Sequence, residues 1–75
     1  MSKFEVFAHW DAEAGVWVAH SEDIPGLATE AETWDGLKAK LSEMGSELIA
    51  LNNVKLDADG GQIHIITEDT VSVAA

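Results

Sequence analysis

One change of hydrophobic period governs what this chain can become. Up to Ala31 apolar residues recur at alternate positions, and from Trp34 they recur at every third or fourth. The first pattern belongs to strands and the second to an amphipathic helix. Between them, Ser21 to Thr33 reads Ser-Glu-Asp-Ile-Pro-Gly-Leu-Ala-Thr-Glu-Ala-Glu-Thr. Pro25-Gly26 forces a turn, Leu27 re-enters the core, and Thr33 offers a hydroxyl where the helix begins.

Lys3 to Trp10 alternates, with Phe4, Val6, Ala8 and Trp10 on one side and Glu5, Phe7 and His9 on the other. Asp11 to Gly15 holds turn formers, and Val16 to Ser21 resumes as a second strand, so the pair reads as a hairpin. Pairing Trp10 with Val16 puts Val16 and Val18 on the apolar face and Phe7 with Trp17 on the opposite one, among Glu5, His9 and Ser21. A slip of one residue inverts that assignment. Leu27 to Ala31 forms a short third strand, whose Glu30 and Glu32 discourage edge-to-edge aggregation.

Trp34, Leu37, Leu41, Met44, Leu48 and Leu51 make one helical stripe, with Lys38, Lys40, Glu43 and Glu47 off it. Asp35 complements the helix dipole behind a Thr33 N-cap, and Gly36 stands where a capping box would have Glu or Gln. Gly45-Ser46 is a weak point that permits a kink, and Asn52-Asn53 ends the helix. After an Asp57-to-Gly61 turn, Gln62 to Thr67 is a fourth strand, followed by a tail from Glu68 in which Val71 and Val73 alternate. The class is α+β in the order β-β-β-α-β: an antiparallel meander, one helix on one face, and a last strand parallel to the first at the far edge, as a right-handed crossover requires. Residues 1–75 form a single domain with an ordered core from about 3 to 67 and a tail at 68–75.

Seventy-five residues without cysteine lie near the lower limit for a self-sufficient core. Burial against a second copy is the expected supplement, and a homodimer is expected on that ground. Four lysines and no arginine face fourteen carboxylates, for a net charge of −10. Direct nucleic-acid binding is disfavoured, since phosphate contacts depend on Lys and Arg. A basic partner would be steered to this surface. No apolar run spans a bilayer and the N-terminus lacks a signal-peptide core, so a cytoplasmic location is expected.

The chemistry-bearing patterns are sparse. Among strand residues Glu5 is the one acid in the first strand, which leaves no carboxylate pair for a metal-dependent nuclease. His9 and His20 point to opposite faces in the register above, and with His64 and no cysteine they make no zinc site. Asp57-Ala58-Asp59-Gly60 imitates part of a calcium loop, but Lys55 and Ile66 stand where its first and last carboxylates belong. No serine has a nucleophile elbow, and Gly60-Gly61 lacks the lysine and helix of a phosphate loop. No catalytic residue, metal or cofactor is expected. Trp10 and Trp34 read as core. Phe7 and Trp17, on the uncovered face, read as an interface anchor beside the acids Asp11, Glu13, Glu22, Asp23, Glu30 and Glu32. The competing reading is a small regulatory or ligand-binding module that uses the aromatic face and His9.

The hairpin with its acidic-glycine loop, the Asp23-Ile24-Pro25-Gly26-Leu27 turn and the Thr-capped helix after a short acidic strand resemble the HicB-like antitoxin domain. Trp10 to Ala19 and Gly26 to Thr33 look closest to a small bacterial family of unknown function within that group. The resemblance runs from about Phe4 to Asn52. It implies a partial ribonuclease H-like fold without catalysis, and a role in covering the active site of a small basic RNA-cleaving toxin. Many such antitoxins also repress their own operon. No helix-turn-helix or ribbon-helix-helix segment follows the fourth strand up to Ala75, so operator binding by this chain is not expected.

Overall fold

The computed structural model describes residues 1–75, ordered as β1 (Ser2–Asp11), β2 (Val16–His20), β3 (Ala28–Ala31), α1 (Trp34–Leu51) and β4 (Gly61–Thr67). One sheet carries all four strands in the order β3-β2-β1-β4, with β1 antiparallel to β2, β2 antiparallel to β3, and β4 parallel to β1. The α+β class and the β-β-β-α-β arrangement are those expected from the sequence. The tail beyond Thr67 has no regular structure and leaves Val71 and Val73 almost fully exposed.

The hairpin register differs from the expectation by one residue. Trp10 faces Trp17 and Asp11 faces Val16. The loop explains the difference: Asp11 belongs to the strand, and its carboxylate accepts the N–H groups of Glu13 (3.1 Å) and Ala14 (3.2 Å). Its carbonyl accepts the Gly15 N–H at 2.8 Å, and Gly15 takes a positive φ of 68° to return the chain. An Asp whose carboxylate closes the loop, followed by a left-handed Gly, makes a tighter connection than one in which Asp11 is itself a loop residue.

The side chains of Phe4, Val6, Ala8, Ala19 and Ala31 on the sheet meet Leu37 and Leu41 of the helix, with Ile24 and Leu27 completing the buried core. Ile24 and Leu27 flank the Pro25-Gly26 turn. The Leu27 N–H donates to the Ile24 carbonyl (3.2 Å) and Gly26 has φ 81°, the geometry of a type II turn with Pro at its second position and Gly at its third. Alanine at Gly26 would meet only ordinary van der Waals contact, from Leu48 at 3.6 Å, so its penalty is the left-handed backbone. Gly26→Ala should therefore cost about 1–2 kcal/mol in urea denaturation; an unchanged midpoint would contradict this account of the turn.

Thr33 caps the helix as expected, its hydroxyl oxygen accepting the Gly36 N–H at 3.0 Å. A side chain at Gly36 would come within 2.9 Å of that hydroxyl, which accounts for glycine where a capping box would have Glu or Gln. At the other end Asn53 adopts φ 52°, Val54 N–H reaches the Ile49 carbonyl (3.0 Å) and Asn53 N–H reaches the Ala50 carbonyl (3.3 Å). This is the Schellman arrangement, with Asn in the left-handed place usually held by Gly. The helix runs unbroken through Gly45, the weak point at which the sequence permits a kink. Gly45 is buried, and a Cβ there would lie 3.0 Å from Ile63 and 3.8 Å from Ile24, so the glycine serves close packing.

Asp57 and Asp59 form the turn before β4, and both carboxylates meet the Met1 ammonium, at 3.2 and 3.1 Å. These ion pairs are solvent-exposed and add little stability.

Candidate functional site on the open sheet face

The helix covers one face of the sheet and leaves the other open. Register assigns the open face: Lys3, Glu5, Phe7, His9 and Asp11 of β1, Val16, Val18 and His20 of β2, Ala28 and Glu30 of β3, and Gln62, His64 and Ile66 of β4. Phe7 is 42% exposed, with His20 and Ile66 as its cross-strand neighbours and the His20 ring centroid 5.8 Å away. Val16, Val18 and Ile66 are half-buried. The result is an apolar stripe across three strands, with carboxylates around it.

Trp17 is not part of this surface. The one-residue change of register turns it to the helix side, where it stacks edge-on between Trp10 (5.5 Å) and Trp34 (4.9 Å). Phe7 and Trp17 therefore do not form an exposed pair. The tryptophans cap one end of the helix–sheet interface instead of lying deep within it: Trp17 and Trp34 are half-buried and Trp10 is 39% exposed. The same correction reunites His9 with His20, which share the open face with His64. They remain spread over three strands, and no three His, Asp or Glu side chains of the chain come close enough to hold a metal ion.

The acids divide by role. Asp11 is engaged by the hairpin loop, as described above. Asp23 accepts the Glu5 N–H at 2.7 Å, while the Ser21 hydroxyl donates to the Glu5 carbonyl (2.7 Å) and accepts the N–H groups of Asp23 and Ile24. These side chains extend the β1–β2 ladder past the end of β2 and hold the loop against the sheet. Glu22, between them, is exposed. Glu5, Phe7, Glu22 and Asp23 thus wall a shallow recess of about 170 Å³. Three carboxylates beside a phenyl ring suit a Lys or Arg side chain, whose stem lies on the ring while its cation meets the acids. Glu30 lies further along the same face opposite Val18, Glu13 sits at the hairpin tip, and Glu32 lies on the link to the helix.

Glu5, Val18 and Ile66 were not singled out as site residues from the sequence. The signal for Ile66 was present: Ile65-Ile66 breaks the alternation of β4, and the second isoleucine can only face outward.

No helix is long and apolar enough to cross a membrane. No curated protein sequence matches the chain. Among solved structures, the chain is similar to hypothetical protein TTHA1013 from the extremely thermophilic bacterium Thermus thermophilus. The two are 44% identical, with a TM-score of 0.83, over 95% of this chain and 99% of that one. The family model of the domain of unknown function DUF1902 matches residues 3–74, which takes in the helix and all of the sheet except Ser2, and the chain belongs to that family.

Proposed function

We propose that this chain is a non-catalytic protein-binding domain whose open sheet face receives a basic protein. The observation that carries the reading is the recess of Phe7, Glu5, Glu22 and Asp23, set in an apolar stripe on a chain of net charge −10. An aromatic floor supplies area and the acids supply selection for a cation, a combination suited to anchoring one Arg or Lys of a partner. The resemblance to HicB-like antitoxins adds a partner class: a small basic RNA-cleaving toxin, neutralised by covering its active site. Cytoplasmic action accords with that role.

An arginine-rich peptide titrated into isotopically labelled protein is the direct test. Expected are amide shift changes concentrated at Phe7, Val18, His20, Glu22 and Ile66, with affinity falling as salt is raised. Glu22→Lys should weaken binding by about tenfold, equal to about 1.4 kcal/mol. Changes spread evenly over the helix, or an affinity indifferent to both salt and Glu22→Lys, would remove this reading. RNA incubated with the protein and magnesium or manganese should stay intact; cleavage that copurifies with the folded chain would overturn the non-catalytic part.

A further inference from the structure

The sheet has two edges, and they are treated differently. β3 has four residues, bears Glu30, and has its Glu30 carbonyl occupied by the Lys40 ammonium at 2.7 Å. Short length, charge and a covering side chain are the usual protections of an exposed edge. β4 has none of them. Its seven residues, Gly-Gln-Ile-His-Ile-Ile-Thr, include no Lys, Asp, Glu or Pro. The Ser2 N–H donates to the Gly60 carbonyl (3.0 Å), which begins the alternate set that faces β1. The N–H and C=O groups of Ile63 and Ile65 consequently point outward, unpaired.

Beside this edge the helix leaves a gap. The backbone of α1 lies nearest β3 and β2, and Ile63 reaches it at Gly45; beside that contact the inner surface of β4 borders a groove of about 680 Å³. Half-buried Ile49, Val54, Ile63 and Ile65 line it with Leu56, which is 48% exposed. On a chain with fourteen Asp and Glu, no carboxylate lines the groove, and its one charged residue is Lys38.

We infer that β4 pairs antiparallel with β4 of a second copy, joining two sheets into one of eight strands with both helices on the same face. A two-fold axis between the two β4 strands, perpendicular to the sheet, makes the contact self-complementary, as closed dimers require. The charge distribution favours this occupant: β4 from Gly61 to Thr67 and the groove beside it carry no acid, so a basic partner gains nothing along them. The acids lie at the two ends of the strand, where Asp57 and Asp59 are already paired with the Met1 ammonium. The pairing satisfies the outward amides and brings the two apolar grooves together. It also runs each tail past the start of the other copy's β4, which brings Glu68 and Asp69 near Asp57 and Asp59 before Val71 and Val73 reach the apolar surface of Leu56. The open face stays free on both copies, so the dimer and the proposed partner site are independent.

Sedimentation of the wild-type chain should give twice its 8.0 kDa mass. Self-association should strengthen from about 0.01 M to about 1 M salt, as screening relieves repulsion between the acidic chains. Partner binding at the open face has the opposite salt dependence, so the two proposals fail separately. Gln62→Glu with Leu56→Glu, both at exposed positions, should weaken the dimer by about tenfold or more while circular dichroism stays unchanged. Hydrogen exchange on the wild-type protein needs no variant: the Ile63 and Ile65 amides should be slow in the dimer and faster on dilution. A chain that stays monomeric, a dimer in which those amides exchange freely, or a monomer that carries a small apolar molecule in native mass spectrometry would each overturn the inference.

Discussion

Ile24→Ala should cost about 2–5 kcal/mol, a large share of the roughly 5–15 kcal/mol that holds an ordinary domain together. Ile24 lies in a loop, yet none of its surface reaches solvent. Its terminal methyl points at a place where the helix has no side chain, 3.8 Å from where a Cβ of Gly45 would stand. Truncation leaves a cavity between two backbones that cannot close, because the turn is held by its own hydrogen bond and by Ser21 and Asp23. The Trp10–Trp17–Trp34 cluster gives a fluorescence signal for urea denaturation. A loss below about 1 kcal/mol would mean that the turn only covers the core and does not belong to it.

Phe7→Ala has the reverse profile. The ring is 42% exposed, so stability should change by less than about 1 kcal/mol. Binding of the arginine-rich peptide should fall by about thirtyfold or more, the loss of an interface anchor worth about 2 kcal/mol. Trp17→Ala is the matched control: it should destabilise the fold through its contact with Trp34 and leave peptide affinity of the folded protein within about threefold. Equal effects of the two substitutions on binding would show that the open face is not the site.

Why Phe7 was legible and Trp17 misleading is a matter of phase. Along β1 polar and apolar residues alternate, so the parity of Phe7 follows from its own strand. In β2, Val16, Trp17, Val18 and Ala19 are apolar at every position, and either register buries a reasonable set. The deciding information lay in the loop, where the Asp11 carboxylate closes the turn and Gly15 supplies the left-handed residue. The helix and its Thr33 cap were legible because stripe and cap agree. Gly45 was not: a propensity scale sees a weak helical residue, whereas its use is a close approach from β4, far away in sequence. The acidic recess depends likewise on Asp23 bonding to Glu5 across 18 positions, a contact no local pattern announces.

The first strand made is an interior strand, and one of its two neighbours is the last strand in the chain. Ser2 meets Gly61, and its hydroxyl accepts the Asp57 N–H from 55 residues away. The β1–β2–β3 meander can assemble early from nearby segments, but β1 then waits with one side bare until the helix has crossed over. Closing so long a loop comes late and slowly compared with forming a hairpin. While it waits, the half-finished sheet offers β1, rather than β4, as its free edge. The interval between the first strand and the last is therefore when this chain is most open to mispairing, and a shorter crossover would shorten it.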